Sequence, residues 1–283
     1  MTGRTVTGQE FFTPIAFDFL WEAMRLGELP YPLKVRSHGA TEDERVALRN
    51  RVHTELRARG IRDQQGRLEP YVDEWLTLLA RPTVSVDALH IPEFQAPPVG
   101  VLAASDGRKA VVAIQDADGI WLRPIYPEAV ASTVVDLLPS GPRGTEASAT
   151  LPLEEALRVP PARATVGAGQ PDEEERGKAG LGRRQPRPRT GLADRPSDPR
   201  QAYAQLAGQP RLRGGQLAAN SRSSLGARRR SPVLAWFDTA TGRYLSLTRP
   251  GPDGREWVTV SPADAKTLRT RLGELVASVT DWR

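Results

Sequence analysis

The sequence contains no cysteine. Disulfides, iron–sulfur clusters and thiol nucleophiles are therefore excluded, and the absence fits a chain kept in a reducing compartment. Histidine is nearly as scarce: there are three, His38, His53 and His90, in a loop, a polar helix and a strand. No pair of them has ligand spacing, so no metal site and no cofactor is expected. Hydrophobic residues make up only 39%, and no apolar run approaches the roughly 18 residues that a spanning helix needs. The opening MTGRTVTGQE lacks the apolar core of a signal peptide. The expectation is a soluble cytoplasmic protein with no membrane insertion.

Glycine and proline are abundant, at 25 each in 283 residues, and the net charge is +5 with a pI near 9.9. Such a balance raises nucleic acid as a partner. Much of the excess arginine, however, lies around Arg183-Arg184 and in Arg228-Arg229-Arg230, in turn-rich surroundings and not along one helix face. A basic nucleic-acid-binding protein without catalysis is thus the alternative reading. Local motifs for chemistry fail. Gly177-Lys178 resembles a phosphate loop, but Asp172 stands where glycine is needed and Ala179 replaces the magnesium-holding hydroxyl. Glu154-Glu155 and the acid run from Asp172 sit at a helix start and in a low-complexity stretch, where solvated charge explains them. The chain is not expected to be an enzyme, and no small-molecule substrate is expected.

Along the chain, Phe11-Phe12 and their neighbours read as a strand, followed by a helix capped by Asp18 and stopped at Gly27, with Phe17, Leu20, Trp21 and Met24 facing a core. Thr41 and Glu44 form a capping box for a helix with a thin apolar stripe, Leu48, Val52 and Leu56. Pro70 starts another, with Trp75, Leu78 and Leu79 inward. Thr83 to Ile91 alternates strictly and reads as a half-buried antiparallel strand, with Val84, Val86 and Ala88 against Ser85, Asp87 and Leu89. Pro92 to Pro98 cannot continue a ladder and forms a loop, in which Phe94 is an aromatic without evident cover.

The run from Lys109 to Pro139 reads as strand, turn, strand and Pro-led helix, with Gly119 supplying a positive φ in the turn. It recurs at Ser231: Val111 matches Val233, Asp116 matches Asp238, Gly119 matches Gly242, and Trp121 matches Tyr244. The second copy would then carry an extra strand around Trp257 before its own helix, capped by Ser261 with Asp264. Further matches pair Glu22-Ala23 with Glu155-Ala156 and Trp75 with Tyr203. The expected fold class is α+β, one central antiparallel sheet with a pseudo-two-fold internal repeat, flanked by helical bundles. The expected organisation is a first half at 1–158, a disordered linker rich in proline, glycine and arginine at 159–199, and a second half at 200–283. The linker lacks aromatics and cannot bury enough surface to offset about 1–2 kcal/mol of chain entropy per residue.

Beyond these patterns, Leu20-Trp21-Glu22-Ala23, then Leu26 through Leu33 (LGELPYPL), then Ser37-His38-Gly39-Ala40-Thr41 occur in order. They are followed by Leu79-Ala80-Arg81-Pro82, Val84-Ser85-Val86-Asp87, the Val111–Pro124 hairpin and Trp236-Phe237-Asp238. In these pieces the chain resembles the EspG family of actinobacterial type VII (ESX) secretion-associated proteins. The resemblance covers both structured halves and omits the linker. It implies a cytosolic chaperone that binds the apolar helical tip of a PE–PPE heterodimer, keeps it soluble and directs it to its secretion machine. It also implies that the loop between the second and third strands makes partner contacts together with the C-terminal half. Here that loop is Pro92–Pro98, and the implied partner-binding residues are Glu93, Phe94 and Gln95.

Overall fold

The computed structural model describes residues 8–159 and 198–281. The stretch at 160–197, which holds nearly all of the expected linker, the Gly177-Lys178 pair and the acid run, lies outside the described residues. The elements are β1 (Glu10–Phe12), α1 (Pro14–Ala23), α2 (Glu42–Ala58), α3 (Pro70–Ala80), β2 (Val84–Ile91), β3 (Val99–Ser105), β4 (Ala110–Gln115) and β5 (Ile120–Ile125). A short 3-10 turn (Pro127–Ala129) leads into α4 (Val130–Asp136), then β6 (Ala149–Pro152) and α5 (Leu153–Ala156). After the break come α6 (Pro199–Ala207), β7 (Arg213–Arg222), β8 (Arg228–Arg230), β9 (Leu234–Thr239), β10 (Gly242–Pro250), β11 (Glu256–Pro262) and α7 (Ala265–Thr280).

All the strands join one 11-stranded sheet in the order β1-β5-β4-β3-β2-β7-β9-β10-β11-β6, with β8 beside β7 off this path. Every strand pair is antiparallel. The α+β architecture expected from the sequence is present, and β2 and β7 meet at its centre from Val84↔Ser221 to Ile91↔Gly214.

Strand order corrects the hairpin alignment. Counting outward from the β2–β7 pair, β3–β4 stands opposite β9–β10 and β5 stands opposite β11. On that count β4–β5, which carries Asp116, does not stand opposite β9–β10, which carries Asp238, and the strand around Trp257 has β5 opposite it. Residues 149–158, grouped with the first half in the sequence reading, pack with the second: β6 pairs with β11, and Leu151 and Ala156 share a cluster with Leu206, Phe237, Tyr244, Val258 and Val260.

Both sheet faces are covered, because neighbouring residues on a strand point to opposite sides. On one face α1, α2 and α3 pack on Leu102, Ala104, Val111, Ala113, Ile120 and Leu122. The other face carries α4 and α7, whose Val130, Val134, Leu268, Leu272 and Leu275 meet Val86, Ala88, Val101, Ala103 and Trp236. Phe237 and Tyr244 alternate with Trp236 and Leu245, so the α5–α6 cluster lies on the same face as α1–α3. The two-sided cover explains why β2 is not half-buried: Ser85 and Asp87 on one face are buried, as Val86 and Ala88 are on the other.

Local starts and turns differ in detail. Thr13, not Asp18, caps α1, its side chain accepting from the Ala16 N–H at 3.2 Å, because Pro14 at the first helical position sets the entry earlier. Asp18 instead accepts from the His38 backbone N–H at 2.8 Å. The helix ends at Ala23 before Gly27 is reached, and Arg25 takes a φ of 52°. Asp264 alone caps α7, through the Thr267 N–H at 2.7 Å, with Ser261 still inside β11. Gly119 has no positive φ. A β-carbon there would stand 2.4 Å from the Phe12 carbonyl oxygen, so glycine is needed for the close approach of β1.

Candidate partner-binding surface

The β2–β3 connection leaves the sheet at Ile91, because Pro92 cannot donate to a ladder. It turns on itself through the Ala96 N–H, which donates to the Glu93 carbonyl at 3.1 Å. Phe94 is 74% exposed. Glu93 and Gln95 are also exposed, and Gln95 takes a left-handed φ of 64° at the tip. Glu93 and Phe94 line a groove of about 290 Å³ whose other side is made by Pro142, Leu212, Arg213, Thr239 and Gly242. Gln95 stands outside that lining. Ile91 at the base of the loop and Leu212 across the groove are 45% and 51% exposed, so three large apolar side chains face solvent at one end of the sheet. Exposed apolar groups gathered in this way make this end of the sheet a candidate interaction surface.

The groove rests on a rigid ionic floor. The buried Asp238 carboxylate accepts from Arg243 Nε at 2.7 Å and Nη2 at 2.9 Å, and from Arg213 Nε at 2.6 Å. Arg243, only 2% exposed, also donates to the Pro139 carbonyl at 2.5 Å and lies 4.4 Å over the Trp236 ring. Arg213 donates to the Ser140 carbonyl. The segment after α4 is thereby tied across β9 and β10, and Gly141 and Gly144 permit the approach: a β-carbon at 144 would lie 2.4 Å from the Tyr244 ring. His90, behind this cluster, is pushed down to about 4 by burial and secondarily by the nearby Arg243 charge. Its ring is neutral at pH 7 and cannot add to the positive charge already there.

Among the described residues no group of acids and histidines could hold a metal ion, and no helix is long and apolar enough to cross a membrane. Sequence reasoning placed the Phe94 loop but missed Ile91, Leu212 and the Arg213–Asp238–Arg243 cluster. The available signal was Asp238 five residues before Arg243 across a tight hairpin, a spacing that puts the two on one face.

The sequence model of the EspG family matches residues 13–274. The chain belongs to the EspG family. Among solved structures, the Mycobacterium tuberculosis type VII secretion system chaperone EspG5, determined in complex with a PE25-PPE41 dimer, is similar over 98% of both chains with a TM-score of 0.64 and 14% identity. That likeness concerns the fold. No curated protein matches the sequence.

Proposed function

We propose that this EspG family member is a type VII secretion chaperone without catalytic activity, which covers the apolar helical tip of a PE–PPE heterodimer with the surface around Phe94. The single observation that carries the reading is the 74% exposure of Phe94 on a loop rimmed by Ile91 and Leu212. Burying one such phenylalanine against a partner is worth about 1.5–3 kcal/mol, which makes it a natural anchor. Family membership supports the kind of partner, and EspG5, which has a similar fold, was determined in complex with a PE25-PPE41 dimer. Glu93 and Gln95 flank the anchor as polar rim. The same proposal takes the two flanks of the sheet as copies of one unit, a reading supported by a strand order that runs alike outward from β2 and from β7. The test is co-expression with PE–PPE pairs encoded beside this gene. A stable three-chain complex that is lost on Phe94→Asp supports the assignment, and no complex with any such pair overturns it.

A further inference from the structure

A cleft of about 790 Å³ lies away from the Phe94 loop, near the other end of β2. Its floor is Ser85 and Asp87 of β2 with Leu102 of β3, one wall is the segment from Leu26 to Tyr31, and the opposite wall is the β7–β8 hairpin. Five arginines line it, Arg81, Arg222, Arg228, Arg229 and Arg230, against two acids, Glu28 and Asp87, a net lining charge of +3.

One of the two acids is already engaged. Asp87, 2% exposed, accepts from Arg230 Nη1 at 2.6 Å and Nη2 at 3.0 Å, and from Asn220 Nδ2 at 2.7 Å. That pairing raises the Arg230 pKa through the hydrogen bond to Asp87. It also anchors the hairpin and sets its facing. Arg230 points into the cleft, so Arg228, two residues away, points the same way, as does Arg222, which stands directly opposite Arg228 in the ladder. Like charges directly opposite each other in a sheet oppose its formation. Among the described residues no ion pair reaches either one. A local rule broken without local compensation is expected where an outside ligand supplies it.

We infer that this cleft is a second docking site, which takes an extended acidic peptide segment of a partner protein with apolar residues among its carboxylates. Charge complementarity selects the carboxylates. Leu26, Leu29 and Tyr31 on the facing wall supply apolar contact that a sugar–phosphate chain would not use. An extended form is favoured because β8 pairs with β7 alone, and its other edge carries no strand among the described residues. Asp87 and Ile91 are four residues apart on one strand, about 13 Å at the rise of a β-strand, so one partner can reach both surfaces.

The test uses the full chain and a fluorescent peptide about ten residues long in which Asp and Glu alternate with Leu and Phe, read by anisotropy. Binding should weaken as salt rises, and the Arg222→Glu, Arg228→Glu double variant should bind about tenfold or more weakly. A peptide with Lys in place of the acids should prefer that variant over the original protein, a reversal that mere structural damage does not produce. Arg228→Gln alone, with its hairpin pairing unloaded, should melt no lower than the original and bind several-fold more weakly. Phe94→Asp should leave the affinity unchanged, so that loss of client binding and loss of this site are separable. The inference is overturned if the acidic peptide does not bind, if the double variant binds it equally, or if single-stranded oligonucleotides of matched charge bind more tightly and show the same arginine dependence.

Discussion

Arg243 donates two hydrogen bonds to the Asp238 carboxylate, at 2.7 and 2.9 Å, with both side chains almost wholly out of solvent. Because Arg213 shares the same carboxylate, removing its charge strands two cations, one of them in the core. Asp238→Asn should destabilise the fold by about 3–5 kcal/mol, the usual result of breaking a buried ion pair from one side. Urea denaturation followed by fluorescence checks this, and a change under 1 kcal/mol would show that the carboxylate is not holding the arginines.

His90 makes stability depend on pH. Above about 6.5 the imidazole is neutral folded and unfolded, and the full stability is present. Below that value the unfolded chain takes up a proton that the folded chain accepts only near pH 4. Stability should therefore fall between about 6.5 and 4, by about 3 kcal/mol at most, and then level off as far as this group is concerned. The difference between the original protein and His90→Gln, measured at several pH values across that interval, isolates the contribution. A constant difference would sink the prediction.

Phe94→Asp separates binding from folding. The side chain is largely in solvent, so the substitution should change stability by no more than about 0.5 kcal/mol, while capture of a PE–PPE pair falls at least tenfold. A variant that still captures its client would move the anchor elsewhere on the surface.

Gly119→Ala tests why glycine stands in the β4–β5 turn. A methyl group would intrude on the Phe12 carbonyl, so β1 must shift or detach, at an overpacking penalty of about 1–3 kcal/mol. Hydrogen exchange at Glu10–Phe12 should quicken more than in the neighbouring β4. Uniform change across the sheet would contradict a local clash.

The helices and most strands were legible in the sequence because their signals are local. Thr41 with Glu44, Pro70, and the stripe Leu48, Val52 and Leu56 each declare themselves within a few residues. The Phe94 loop was legible too, since prolines on both sides forbid a ladder. Asp87 was not: its alternation suggested a wet face, and its partner Arg230 lies 143 residues away on a strand of three residues. The hairpin match failed for a related reason. The Asp116-to-Gly119 turn resembles the Asp238-to-Gly242 turn locally, but β4–β5 stands one place further from the β2–β7 centre than β9–β10 does. Residues 149–158 were assigned by proximity in the chain, whereas β6 finds its place through β11.

The position of β6 has a consequence for the nascent chain. While the ribosome is still making residues short of Arg213, the emerging first half displays a bare β2 border, and β6 has nothing to lie against until Glu256–Pro262 follows. The β2 seam closes once β7 is made and the β6 seam only once β11 follows, so a polypeptide truncated before β7 should leave both sticky borders open to other chains and accumulate as aggregate.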